Sequence, residues 1–226
     1  MDYCYKYPHP AVTTDCVIFG YDGGELKVLL IQRGQEPYRH YWALPGGFVR
    51  MDESTEQGAT RELREETGLT GVNPVQFHTY SAVDRDPRER VITVAHYALV
   101  NVSAVRGGDD AADARWYKVT DLPPLAFDHA RILQDALTRL REDIFFRPVA
   151  FELLPDVFTM SELQKLYERI LGVTFDRRNF HKKVLSLGIL EPLARPAGTP
   201  TRYATQYRFL PKRYAAMKAS GFRFEF

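Results

Sequence analysis

Apolar positions recur along the chain with two different periods, and the change of period predicts its elements. Residues 11–19 and Leu26–Gln32 are rich in apolar and β-branched types and flank the turn residues 21–24, which predicts a hairpin. Similar runs predict further strands at 75–82, 91–100 and 115–119. The period then becomes helical from Asp128 to about Glu142, with apolar residues at 132, 133, 136, 137 and 140. That helix is expected to close a first domain, residues 1–147.

The pattern changes after Arg147-Pro148, the predicted domain boundary. Residues 151–154 are predicted to form a short strand. Thr159 and Glu162 then stand at the spacing of a capping box, which predicts the start of a helix, and Gly172 predicts its end.

A second helix and two strands are predicted to complete this half of the chain. Asp176 is expected to cap the helix, which ends at Gly188. Strands at 189–195 and 202–209 follow, joined by a loop rich in Pro, Gly and Thr. Two helices followed by a hairpin are the order of a winged helix-turn-helix, so residues 148–226 are predicted to form a second, small domain.

The most distinctive stretch runs from Gly47 to Leu69. Within it, Ser54 followed by Gln57 predicts a helix that begins at residue 55, and Gly68 predicts its left-handed end. Immediately upstream, Gly46 and Gly47 allow the backbone to approach a metal or a phosphate closely.

The predicted helix carries a cluster of acidic residues. Glu62, Glu65 and Glu66 fall within an arc of about 100° at the helical angle per residue. Converging carboxylates repel one another, and a hard divalent cation such as Mg²⁺ or Mn²⁺ relieves that repulsion. The alternative is a solvated acidic face, which is what most charge runs are.

Charge divides the chain at the predicted boundary. Residues 1–147 hold 17 Lys and Arg against 22 Asp and Glu, whereas residues 148–226 hold 13 against 7. The second half is therefore suited to an anionic partner. Its cations cluster on the outer side of the second helix and near the tip of the predicted wing, and the candidate DNA-binding residues are Arg178, Asn179, Lys182, Lys183, Arg195 and Arg202.

The stretch at 47–69 resembles the Nudix box at every fixed position, and the preceding residues 42–47 resemble the usual lead-in to it. The resemblance implies an α/β/α sandwich with a mixed sheet, and hydrolysis of a nucleoside diphosphate linked to another moiety. It implies metal ligation by Glu62, Glu65, Glu66 and the carbonyl of Gly46. The same three carboxylates are the candidate catalytic residues.

The resemblance also implies a structural ion pair between Arg61 and Glu53. Arg33, which directly follows a predicted strand, is a candidate substrate-binding residue together with Gly47, because guanidinium groups suit phosphate oxygens. A plain surface arginine is the alternative for Arg33.

The charged segment 84–90 and the strand after it resemble a part of bacterial ADP-ribose pyrophosphatases and their regulator relatives. Arg85 and Arg90 are therefore candidates for substrate contact, although Glu89 stands where glycine is expected. The general base is left open among the box carboxylates and three weaker candidates, Asp84, Asp86 and Glu89. His129 is expected to be exposed or to cap its helix.

The second half resembles a winged-helix domain, and the whole chain resembles the Nudix-related transcriptional regulators. Small winged helices also serve purely structural roles, so DNA binding is one of two alternatives for residues 148–226. The intact box favours a pyrophosphohydrolase acting on ADP-ribose or a similar nucleotide-sugar. The alternative or companion role is a DNA-binding regulator that senses such a ligand, and the resemblance suggests a homodimer.

Composition adds three expectations. The chain has two cysteines, so no disulfide framework is expected. It contains no run of 18 apolar residues, so no membrane span is expected. The beginning of the sequence lacks the pattern of a signal peptide, and a cytoplasmic location is the default expectation.

Overall fold

The computed structural model describes residues 5–102, 114–194 and 204–223. The chain consists of two compact units. The first takes the described parts of 1–20, 27–100 and 104–137, and the second those of 21–26, 101–103 and 138–226. The domain boundary after residue 147 stays a prediction.

The first unit is built on a sheet to which the described residues contribute seven strands in the order β3-β2-β1-β6-β5, with β4 beside β1 and β7 beside β2. Their bounds are β1 (Ala11–Tyr21), β2 (Leu26–Gln32), β3 (Trp42–Ala43), β4 (Gly46–Phe48), β5 (Val75–Tyr80), β6 (Val91–Asn101) and β7 (Ala114–Lys118). The five predicted strands are confirmed. The very short β3 and β4 were not predicted.

The first helix, α1 (Thr55–Thr67), has the predicted bounds and caps. The Ser54 side chain accepts from the backbone N–H of Gln57, and Gln57 accepts from the N–H of Ser54 in return. Gly68 ends the helix with a left-handed φ of 69°, a conformation that costs glycine little.

Both faces of strand β1 are buried, which is what the predicted sandwich requires. Cys16 and Ile18 pack with Ala59 and Leu63 of α1. The intervening Val17 and Phe19 point to the opposite face and are also fully buried. The predicted α/β fold with a mixed sheet is confirmed.

The helix α2 (His129–Phe146) extends beyond the predicted end near residue 142. Its apolar positions Ile132, Leu133, Ala136 and Leu140 are buried, as the helical period predicts. The Tyr80 hydroxyl donates to Asp135 over 2.8 Å and ties β5 to the helix.

The second unit is a winged helix-turn-helix. After a 3₁₀ helix (Val149–Leu153) come β8 (Phe158–Thr159), α3 (Met160–Leu171), α4 (Arg177–Ser186), β9 (Leu190–Pro192), β10 (Gln206–Phe209) and α5 (Pro211–Ala219). The antiparallel sheet has the order β8-β10-β9. The prediction of a strand at 151–154 is wrong, because a short buried apolar run does not distinguish a strand from a helical turn.

The helix-turn-helix is held by a small aromatic core and a tied turn. Tyr167 of α3 meets Phe180 of α4 edge to face, with ring centroids 5.6 Å apart. Glu168 accepts from the backbone N–H of Phe175, and Gln164 donates to the carbonyl of the same residue. The capping box at Thr159 is confirmed, with both of its hydrogen bonds formed.

Two predictions lie outside the described residues, and one element was not predicted. Arg195 and Arg202, expected near the tip of the wing, fall in the part of the chain that the structure does not describe. Helix α5 after β10 was not predicted. Within the described ranges, no helix is both long and apolar enough to cross a membrane.

Candidate functional site

A cavity of about 400 Å³ opens in the first unit, where β1, β2 and β4 meet the loop before β6 and the start of α2. Five of the predicted site residues line it: Arg33, Gly46, Gly47, Glu66 and Arg85. Residues that the sequence reasoning did not assign to a site line it as well, notably Asp15, Arg88, Phe127 and His129.

The two glycines lie where side chains have no room. A Cβ added to Gly46 would collide with the carbonyl oxygen of Thr14, and one added to Gly47 would collide with the carboxylate of Glu62. These positions therefore bring the backbone directly against the acidic helix and leave the wall of the cavity open.

The acidic residues of α1 share one arginine. Arg61 forms a two-pronged ion pair with Glu53, at 2.6 and 2.9 Å. The third guanidinium nitrogen donates to Glu62 over 2.7 Å and to Glu65 over 3.1 Å. The Glu53–Arg61 pair therefore forms, and the same arginine holds two of the three carboxylates that are proposed as metal ligands.

Among the acidic residues of α1, Glu66 is the one that lines the cavity. Its carboxylate accepts from the backbone N–H of Gly46 over 2.8 Å. Burial, together with the nearby carboxylates of Glu62 and Asp15, raises the pKa of Glu66 to about 8 despite that hydrogen bond. Glu66 is therefore short of positive charge in its surroundings.

A buried charged network forms the floor of the cavity. The Arg85 guanidinium donates to Asp128 over 2.7 and 3.0 Å and to Asp15 over 3.4 Å. The ring of His129 accepts from the N–H of Leu44 at Nδ1 and places Nε2 3.6 Å from Asp15. The expectation of an exposed or capping His129 is wrong, because the residue is 5% exposed and joins this network.

The surroundings of Arg85 and His129 determine the charge state of this network. Arg85 is balanced by two carboxylates, which positions it against the cavity floor. Burial lowers the pKa of His129, so its imidazole is neutral at pH 7. Asp15 had one signal in the sequence, because it is a charged residue inside an otherwise apolar and β-branched strand.

A pair of arginines faces Phe127 on the cavity wall. The guanidinium carbons of Arg33 and Arg88 lie 4.7 and 5.7 Å from the centroid of the Phe127 ring. Phe127 itself has a left-handed φ of 52°, a strained conformation for a residue with a side chain. Burial and the neighbouring Arg88 lower the pKa of Arg33. Two like charges held this close favour a ligand that carries more than one negative charge.

The remaining predicted residues lie elsewhere. Arg90 does not line the cavity, and its guanidinium donates to the carbonyls of Ser81, Ala82 and Val91. Glu65 is exposed and also pairs with Arg50 over 3.6 Å. These contacts stabilise the segment 81–91 and the start of α1.

Among the weaker candidates for the general base, Asp86 alone lines the cavity. The backbone N–H and two guanidinium nitrogens of Arg88 donate hydrogen bonds to the Asp86 carboxylate. These bonds lower the pKa of Asp86. Asp84 and Glu89 are exposed.

The donor chemistry of the acidic residues fits a hard divalent cation. Glu62 and Glu66 are carboxylates beside a glycine backbone, and such oxygen donors are the ligands that a hard cation prefers. In the part of the chain that the structure describes, no three Asp, Glu, His or Cys side chains are gathered around one point. Glu62 and Glu65 are instead held by Arg61.

The second unit exposes a cationic surface on α4. Arg178, Asn179, Lys182 and Lys183 are all exposed, and Asp176 caps the helix by accepting from the N–H of Asn179. The salt bridges found within 5–102, 114–194 and 204–223 do not involve these cations. The predicted DNA-binding residues of α4 thus lie together and free of acidic partners.

Two family models match the chain. The NUDIX domain matches residues 9–136, and the NrtR DNA-binding winged helix domain matches residues 150–209. The ADPR responsive transcriptional repressor NtrR of Acinetobacter baylyi is 35% identical over 213 residues, which are 92% of this chain and 85% of that protein. The ADP-ribose pyrophosphatase of Methanocaldococcus jannaschii is 41% identical over 129 residues, 57% of this chain and 74% of that protein.

Solved structures are similar to the whole chain and to its first unit. Shewanella oneidensis NrtR complexed with a 27mer DNA superimposes with a TM-score of 0.80 at 32% identity, covering 94% of this chain and 97% of that one. The NUDIX domain of the same protein complexed with ADP ribose gives a TM-score of 0.56 at 36% identity, covering 62% and 94%.

Proposed function

The chain belongs to the Nudix family, and from that premise we propose that it is a DNA-binding regulator whose Nudix unit binds ADP-ribose or a related nucleotide-sugar. The observation that carries the proposal is that one chain combines a cavity lined by arginines with a helix, α4, whose exposed cations form no salt bridge with the residues that the structure describes. Its similarity to a repressor over 92% of the chain supports this proposal.

Ligand binding follows from the chemistry of the cavity. Arg33 and Arg88 supply guanidinium groups for the negative charges of a diphosphate, and Gly46 and Gly47 let its oxygens approach the backbone. Phe127 offers an aromatic face beside them. On the floor, the charge-balanced Arg85 contacts Asp15, and neutral His129 lies beside it.

DNA binding follows from the exposed face of α4. In a helix-turn-helix the second helix enters the major groove, so its cations and amide meet phosphates and base edges. We expect Arg178→Ala with Lys182→Ala to weaken duplex binding and to lower the slope of log affinity against log salt by about 1.8, at about 0.9 per lost phosphate contact.

Fluorescence anisotropy of the full chain on duplexes enriched from a random pool measures this. Lys6→Ala with Lys118→Ala is the matched control, because it removes two exposed cations from the first unit. Equal affinity and slope for the two double variants would reject α4 as the recognition helix.

A homodimer is part of the proposal, because paired winged helices read two half-sites. Light scattering at micromolar concentration is expected to give twice the single-chain mass. A single-chain mass at that concentration would reject the proposed homodimer.

Metal-dependent pyrophosphohydrolysis is the second candidate, favoured by the intact acidic residues of α1. Glu62, Glu65 and Glu66, with the Gly46 carbonyl, are the proposed holders of Mg²⁺ or Mn²⁺. The metal would polarise the pyrophosphate and lower the pKa of an attacking water. Arg61 positions Glu62 and Glu65, and Arg33 and Arg88 orient the diphosphate.

Phosphatase-coupled phosphate release from a panel of nucleoside diphosphate derivatives tests this second activity. Turnover of ADP-ribose well above the other compounds would establish it. Tight binding without turnover in either metal would leave the Nudix unit as a sensor.

A further inference from the structure

Helix α5 (Pro211–Ala219) is a second cationic surface of the winged-helix unit. None of its residues is buried. Residues 204–223 contain five Lys and Arg and no Asp or Glu. The matched winged-helix model ends at residue 209, two residues before α5 begins, so nothing in that match assigns this helix a role.

The cations of α5 lack acidic partners within the described ranges. Lys212, Arg213 and Lys218 are exposed, and none of them takes part in a salt bridge found there. No large apolar side chain is exposed on this helix either. Its surface is therefore suited to an anionic partner and offers little to a hydrophobic one.

Helix α5 begins close to the end of α4. The N–H of Leu210 donates to the carbonyl of Ile189, just after the end of α4. The Arg213 guanidinium lies 3.6 Å from where a Cβ on Gly188 would stand. Arg213 alone has a simpler explanation, because a cation stabilises the C-terminal end of a helix. That explanation does not extend to Lys212 and Lys218.

We propose that α5 binds phosphates of the duplex beside the segment that α4 reads. The inference rests on the proposed DNA binding and extends it to an element outside the matched domain. Phosphate contacts position a protein on DNA without reading its sequence. The contribution of α5 is accordingly the same on every duplex.

The test is fluorescence anisotropy of the full chain on an enriched duplex and on an unrelated duplex, over a series of salt concentrations. Lys212→Ala with Lys218→Ala is expected to weaken binding to both duplexes by the same factor and to lower the salt slope by about 1.8. Lys212→Arg with Lys218→Arg keeps the charge and is expected to bind like the parent. The pair Lys6→Ala and Lys118→Ala controls for net charge.

Each possible result either supports or overturns the role of α5 in DNA binding. A parent that binds DNA, with a Lys212/Lys218 alanine variant matching the Lys6/Lys118 control, overturns the role of α5 and leaves α4 as the interface. A changed mass in light scattering with an unchanged salt slope would assign α5 to self-association instead. A parent that binds no duplex overturns both this inference and the proposed DNA binding. Circular dichroism confirms that the variants remain folded.

Discussion

Glu66 lines the cavity and has a pKa raised well above that of an ordinary carboxyl group. Its pKa of about 8 means that the folded, metal-free protein holds a proton there that the unfolded chain releases near pH 4.5. The stabilisation is complete below the unfolded pKa and is lost as pH rises through the folded pKa. Glu66→Gln keeps an acceptor for the Gly46 N–H and removes this dependence.

In metal-free buffer, the parent is therefore expected to lose thermal stability relative to Glu66→Gln between about pH 5 and pH 8. The difference in Tm should reach roughly 5–10 °C at the upper end. Thermal melts in EDTA at both pH values measure it. Parallel curves for the two proteins would show that Glu66 is not the group that holds the proton.

Replacement of Arg33 tests whether the cavity wall binds the negative charges of the ligand. Because a hydrogen bond to a charged group contributes about 1.5–3 kcal/mol, Arg33→Ala is expected to weaken ADP-ribose binding by roughly tenfold or more. Calorimetry in EDTA measures the affinity without turnover. Arg39→Ala is the control, because Arg39 is exposed on the following loop and does not line the cavity. The same dissociation constant for both variants would remove Arg33 from the ligand site.

At the scale of elements, α1 is stabilised by local signals and by one arginine. Arg61 contacts Glu53, Glu62 and Glu65 and also donates to the carbonyl of Phe48. Lysine supplies a single point charge in place of this fork.

Arg61→Lys is expected to lower the Tm by roughly 2–6 °C, because the loop before α1 loses its two-pronged tie to the helix. Differential scanning calorimetry measures the change. Arg64→Lys is the control on the exposed side of the same helix. A Tm equal to that of the control would show that a point charge suffices at position 61.

The same locality explains which elements the sequence predicted. The bounds of α1 follow from Ser54, Gln57 and Gly68, which act within four residues of the helix ends. The 3₁₀ helix at Val149–Leu153 has buried apolar residues without such signals and was mistaken for a strand. Strands β3 and β4 have two and three residues and form only because β2 and β1 pair with them.

At the scale of the molecule, the cavity shows why part of the site escaped prediction. Glu66, Gly46 and Gly47 belong to one contiguous pattern and were assigned from it. Asp15 and His129 were not assigned, and they meet the predicted Arg85 on the floor although the three lie far apart in the chain. No spacing rule connects them, so only the folded sheet reveals the contact. The arginine pair at Phe127 is assembled in the same way.

The proposed regulator requires that ligand binding in the Nudix unit change DNA binding by the winged helix. The direct measurement is the affinity of the full chain for an enriched duplex with and without saturating ADP-ribose, in EDTA, with AMP as the control ligand. We expect ADP-ribose to change the dissociation constant of the protein–DNA complex by about fivefold or more, and AMP to leave it unchanged. An ADP-ribose-bound protein with unchanged DNA affinity would contradict it.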